Sequence, residues 1–163
     1  MITSPSRTSL IRTVARIVLG AFLLLAGTAH LTVAREEFAA QVPSWLPLDT
    51  EFVVVASGVV ELLLGAALVF LGRYRVLVGW VVAAFFVAIF PGNIAQYVEG
   101  VSGFGLDTDA ARLTRLFFQP VLVLWALWST GAWRDRANLR ENRAERKGAG
   151  HSGRRGAMSG NDQ

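Results

Sequence analysis

The residues that could do chemistry are few and scattered. The stretch "SGVVELLLG", Ser57 to Gly65, is small or apolar throughout except for Glu61. A carboxylate in apolar surroundings has to be protonated, paired or hydrated, because its desolvation is otherwise uncompensated. His30 and Arg115 are the groups within reach that could carry positive charge, and Asn93 and Gln119 could donate hydrogen bonds. These five suit binding or proton relay better than bond cleavage. The chain has no cysteine, so disulfides, thiolate metal sites and thiol redox relays are excluded. No metal-ligand spacing, nucleotide-binding glycine loop or nucleophile elbow occurs, so a stand-alone enzyme is a third and weaker reading.

The elements that must position these groups are apolar. Hydrophobic residues make up 53% of the 163 and charged residues 17%, where a soluble domain carries about 25%. Mean hydropathy is +0.43. About 20 apolar residues cross a bilayer as helix. Four runs qualify, with spans expected over about 12–34, 52–72, 76–98 and 112–133. The tandem Val and Phe of the third run would suit a strand. Length and unbroken apolarity favour a helix, since an open strand leaves backbone groups unpaired in lipid. Asp107 or Thr108 is expected to cap the fourth helix, with Asp109 at its positive end. The expected fold is all-α: an integral membrane four-helix bundle over 12–133, a short arm over 1–11 and a basic tail over 134–163.

Orientation follows from Lys and Arg. Arg7, Arg12 and Arg16 precede the first span, Arg73 and Arg75 form the "RYR" turn, and eight basic residues lie in the tail. The connection "REEFAAQVPSWLPLDTE" holds only Arg35. The positive-inside rule therefore places both termini and the RYR turn in the cytoplasm, with Trp45, Trp80, Trp125, Trp128 and Trp133 supplying interface anchors. A basic arm followed by an apolar run also resembles a signal peptide, with "AGTAH" as the cleavage region. The long arm, the run to Ala34 and the even number of spans favour retention. The basic balance is thus explained by the membrane and by anionic lipid at the tail rather than by nucleic acid. The tail opens as a charged helical pattern and is expected to be disordered after Gly148.

Helical spacing puts each polar group on a face with small residues. Gly20, Gly27 and His30 share one face of the first span, and Gly58, Glu61 and Gly65 one face of the second. In the third, Gly79, Ala83, Phe86, Phe90 and Asn93 align. In the fourth, Arg112, Arg115, Gln119, Leu122, Ala126 and Ser129 do. At 1.5 Å per residue Glu61 lies about 13 Å into the second span, and the other polar groups fall in the same outer half. The sequence thus points to an inward-facing cluster of His30, Glu61, Asn93, Arg115 and Gln119, with Gly20, Gly27, Gly58, Gly65 and Gly79 as packing positions and no metal. Blander roles stand beside this one. Glu61 could be a protonated structural lock, His30 an interface residue, Asn93 a cap at a Pro91 kink, and Arg112 and Arg115 snorkelling side chains.

In their order, "GAFLLLAGTAHL", "VPSWLP", "SGVVELLLGAALVF", "RYR" and "FPGNIAQY" resemble the DoxX-like membrane proteins. The matching positions are Gly27 and His30, Pro43 and Pro47, Gly58 and Glu61, and Pro91 and Asn93, within Arg12 to Trp133. The resemblance implies a small four-helix protein of the bacterial inner (plasma) membrane, a multi-pass DoxX family member. Relatives include a subunit of a thiosulfate:quinone oxidoreductase and a component linked to detoxification of oxidative stress. It implies an accessory or quinone-associated subunit of a membrane redox system, with a membrane oxidoreductase as partner and quinone as the one cofactor in view. The related bundles that use cysteine pairs lend no chemistry to a chain without cysteine. A small-molecule carrier or proton-linked channel using Glu61 is the alternative.

Overall fold

Four long helices account for nearly all of the ordered backbone, and each begins or ends on a local signal in the sequence. The computed structural model describes residues 9–102 and 108–134. Helix α1 spans Leu10–Leu31, a short α2 spans Arg35–Ala39, α3 spans Thr50–Phe70, α4 spans Arg75–Glu99 and α5 spans Asp109–Thr130. A single 3₁₀ turn, Gly72–Tyr74, joins α3 to α4. No strand occurs among the described residues. Residues up to Ala132 form one compact unit, and Trp133 and Arg134 belong to a second. The expected arm and tail lie mostly outside the described residues.

Two of the long helices, α3 and α5, start where a side chain satisfies an orphan backbone donor. Asp49 accepts from the Phe52 N–H ahead of α3, and Thr108 accepts from the Ala111 N–H ahead of α5. Helices α4 and α5 end on Gly100 and Gly131, both in the left-handed region that glycine adopts without strain. The expected fourth span therefore stops at Thr130 rather than 133, and the first at Leu31 rather than 34. Helix α4 runs unbroken through Pro91, and α5 through Pro120. Each of α1, α3, α4 (with its 3₁₀ turn) and α5 is long and apolar enough to cross a membrane.

The helices form a closed ring in which α1 meets α3 and α5, and α4 meets α3 and α5. The closest packing is within two antiparallel pairs, α1 with α3 and α4 with α5. In the first pair the cause is two glycine contacts one heptad apart. A Cβ on Gly27 would stand 2.7 Å from the Gly58 carbonyl oxygen, and one on Gly65 would stand 2.8 Å from the Gly20 carbonyl oxygen. No real side chain tolerates such distances, so these glycines let the two backbones touch. In the second pair Gly79 faces Thr130.

The dry core fills the half of the ring nearest the RYR turn. Leu19, Leu23, Leu68, Val82 and Ala126 are essentially inaccessible there. Trp125 ties α5 to α1 by donating its indole N–H to the Ala15 carbonyl, 3.1 Å away. The buried polar side chains His30, Glu61, Asn93, Gln96, Arg112 and Gln119 occupy the other half.

Candidate functional site

Glu61 sits at the middle of α3 on the buried face that also carries Gly58 and Gly65. Late in α1, His30 reaches it. The His30 Nδ1 to Glu61 Oε2 distance is 3.0 Å, and both residues are 6% exposed. The approach depends on Gly58, where a Cβ would lie 2.7 Å from the His30 Cβ. His30 Nδ1 is also 3.0 Å from the Ala26 carbonyl oxygen. A carbonyl can only accept, so Nδ1 carries a proton and shares it between Ala26 and Glu61. The second carrier of proton or charge is then Nε2 or the carboxyl itself. Phe38 of α2 stacks on the imidazole ring and fixes its plane.

Asn93 and Gln119 pair with each other rather than with Glu61. Asn93 Nδ2 donates to Gln119 Oε1 at 2.8 Å, and Gln119 Nε2 donates to the Phe86 carbonyl at 2.7 Å. Both side chains are buried, so this chain of amides crosses from α4 to α5 out of water. Asn93 therefore joins helices and does not cap a break at Pro91, where α4 continues.

Arg115 takes a third position. Its Nη2 donates to Gln41 Oε1 at 2.6 Å, and its Nη1 lies 3.5 Å from Gln96 Oε1. Of the two cations expected beside Glu61, His30 makes the close contact, and Arg115 borders the same cavity and bonds Gln41. Arg112 pairs with Asp109 one turn away at 2.7 Å and is largely buried.

His30, Glu61 and Arg115 border a cavity of about 250 Å³ at the end of the ring away from the RYR turn. Its wall is mostly apolar, with Val53, Val54 and Ile89 among the contributors. Its polar points are His30, Glu61, Ser57, Gln41 and Arg115. The connection after α2 lies across it, through Val42, Pro43, Trp45 and Leu46. That connection is pinned to α4 where Ser44 donates to Glu99 at 2.8 Å, and Gly92 leaves room for the Gln41 carbonyl. Glu61 Oε2 and Gln41 Nε2 are buried and have no well-aligned hydrogen-bond partner. One is an acceptor and the other a donor, and both border the cavity. Among the described residues no group of three His, Cys, Asp or Glu side chains could hold a metal ion.

Of the five expected cluster residues, His30, Glu61 and Arg115 line one cavity, and Asn93 and Gln119 form a separate bridge. Phe38 and Gln41 were not visible in the sequence as site residues. They lie in a connection with no periodicity, and α2 is a single short turn of helix within it. Gln96 carried a signal, since it falls one turn beyond Asn93 on the α4 stripe.

The geometry defines a class: an all-helical protein with four helices fit to cross a membrane and a polar-footed cavity at one end of the ring. The chain belongs to the family described as a domain of unknown function, DUF8561, which matches residues 19–130. The matched segment contains every residue of the cavity and of the amide bridge. No curated protein and no solved structure matches.

Proposed function

We propose that this is a multi-pass protein of the bacterial inner membrane, with both termini in the cytoplasm, that serves as a DoxX-like accessory subunit of a membrane redox system and holds a quinone-type molecule in its cavity. Placement in lipid is supported by a belt of exposed apolar side chains on all four long helices, including Phe22, Leu25, Leu63, Val87 and Phe117. Only a surrounding hydrocarbon phase makes such a belt favourable. The orientation rests on the arginines of the RYR turn and the N-terminal arm.

The observation that carries the ligand reading is the pairing of an apolar wall with a buried donor that has no partner, Gln41 Nε2, and a buried acceptor whose one neighbour, His30, is shared with the Ala26 carbonyl. A flat ring with oxygens at its two ends presents both an acceptor and, when reduced, a donor. Glu61 Oε2 accepts from a ring hydroxyl, Gln41 Nε2 and Arg115 donate to a ring carbonyl, and the aliphatic wall takes the ring faces. His30 Nδ1 stays beside Glu61 and orients its carboxyl group. The carrier reading is less well supported. The apolar core of Leu19, Leu23, Leu68 and Val82 fills much of the half of the ring below the cavity.

The test is purification in a mild detergent, followed by mass spectrometry of co-purifying proteins and of the organic extract. A stoichiometric lipid-soluble quinone or oxidoreductase, lost in Glu61→Gln while the protein remains folded, is the expected result. A clean preparation without either would overturn the reading and turn attention to solute uptake in liposomes, with Glu61→Gln as the control.

A further inference from the structure

A molecule could reach the cavity from the end of the ring or from its flank, and the two routes are built differently. The end is roofed. Val42, Pro43 and Leu46 of the connection border the cavity there, Ser44 is bonded to Glu99, and the Gln41 carbonyl is seated against Gly92. On the flank the cover stops. Among the side chains that border the cavity, Ala88, Pro91 and Trp45 are exposed, and the first two belong to α4. Helix α3 supplies Val53 and Ser57 to the same space. Of the four helix pairs that close the ring, α3 with α4 makes the least contact. The reason lies in the glycines. Gly58 and Gly65 of α3 face α1, Gly79 of α4 faces Thr130 of α5, and Gly92 faces Gln41, so none draws α3 and α4 together.

Depth decides what can use this flank. Ala88 lies about 16 Å from the Glu99 end of α4 at 1.5 Å per residue, close to the middle of the helix. In a bilayer that level is hydrocarbon, where a hydrated polar molecule is costly to place. Ala84, one turn nearer the RYR turn, is also small and exposed, so the same face of α4 stays shallow below the rim. A second groove runs from Trp45 and Pro91 over Ala95 and Val98 and ends at Glu99. It leads an apolar chain towards a carboxylate and away from hydrocarbon. The cavity itself, at about 250 Å³, falls below the roughly 300–1,000 Å³ of pockets that enclose a whole drug-sized ligand, so it holds a ring and little more.

We propose that the ligand of this cavity is a ring with a long polyprenyl or alkyl tail, and that it enters sideways from the lipid between α3 and α4. The ring passes over Ala88 into the cavity, and the tail remains outside along Ala88 and Ala84. The proposal rests on the quinone reading and on the membrane placement above, and adds to them the route and the tail. Ala88 is then a position that sets access, because a larger side chain there narrows the rim.

The experiment uses the full chain in phosphatidylcholine nanodiscs with two photoreactive probes. One is a dimethoxybenzoquinone whose decyl tail ends in a diazirine, and the other carries the diazirine on its ring. Cross-linked peptides are located by mass spectrometry. The tail probe should label α4 around Ala84 and Ala88, and the ring probe should label the connection over 40–46. Ala88→Leu should lower both labels roughly tenfold, as overpacking of a fitted contact does. Exposed Phe117→Leu on α5 should change neither. Ala84→Leu, which should lower the tail label, and the wild-type label pattern keep the test decisive if Ala88→Leu misfolds. Ring label in the cavity with tail label spread evenly over the apolar belt overturns the lateral route and leaves the quinone reading standing. Full ring label in Ala88→Leu does the same. Tail label at Ile94 and Val98 in place of Ala84 and Ala88 overturns the route over Ala88. A decyl chain with a diazirine and no ring should show no preference for Ala88; labelling equal to that of the tailed ring assigns the flank to lipid chains and overturns the proposal. Absence of ring label from the wild-type cavity overturns the quinone reading, and the proposal with it.

Discussion

The two halves of the ring are built on opposite principles. Around the RYR turn, Leu19, Leu23, Leu68, Val82 and Ala126 pack together, and the polar groups there are the buried hydroxyls of Ser129 and Thr130, which bond back to the α5 backbone, and arginines at the rim. Towards the other end the same four helices bury a histidine, a glutamate, two arginines wholly or in part, and three amides, and leave a cavity bordered by His30, Glu61 and Arg115. Shape-filling side chains hold the first half together, and hydrogen bonds and an ion pair hold the second. Stability and binding are thus assigned to different ends of one set of helices. The closed half keeps the helix ends in register, and that lets the open half keep an unfilled space and unsatisfied polar atoms without collapsing.

This contrast can be broken in graded ways. The largest effect is expected from Gly58→Leu. Its side chain would collide with the His30 Cβ and the Gly27 carbonyl, so α1 and α3 must separate and folded yield in detergent should be lost. Gly72→Ala, with only the end of Arg16 nearby, should express normally. Next comes a matched pair of truncations read by reversible unfolding. Leu19→Ala in the closed half should cost about 2 kcal/mol, the low end of the usual range because the unfolded helices remain in lipid. Val53→Ala on the cavity wall should cost well under half of that, since the space beside it already exists. Equal costs would mean that the halves are not packed differently.

Smaller effects separate the polar groups from one another. A double-mutant cycle on Asn93→Ala and Gln119→Ala should return a coupling of about 1 kcal/mol, as for other buried interhelical hydrogen bonds in membranes. The same cycle on Asn93 and Glu61 should return a value near zero, because the two belong to different bridges. The smallest change in stability is expected for Arg115→Gln, with a clear local readout. Loss of the Gln41 contact should raise protease cleavage in the connection 40–49 while α1 and α3 remain protected.

Much of this arrangement was legible in residue order. Apolar run length gave the four helices, and the seven-residue spacings of Gly20 with Gly27 and Gly58 with Gly65 marked the stripes that now meet. Glu61 and His30 lay on those stripes, so their encounter follows from the α1–α3 contact. What stayed hidden depends on neighbours. Spacing along one helix does not say which helix stands beside it, so Asn93 and Gln119 read as donors for Glu61 when they are donors and acceptors for each other. Arg115, expected beside Glu61, bonds Gln41, a residue of an aperiodic connection whose path only the tertiary fold sets. Helix ends shifted by two or three residues where Gly131 and the backbone after Leu31 stop the helix before the apolar run ends.

The glycine contacts carry one more implication. With Gly20 against Gly65 and Gly27 against Gly58, α1 and α3 are bound like the two faces of a single board, and α4 with α5 makes a second board. The cavity lies in the seam, with His30 and Glu61 on one board and Ile89 and Arg115 on the other. Its size therefore depends on how the two boards sit against each other and on the connection fastened across it through Gln41 and Ser44.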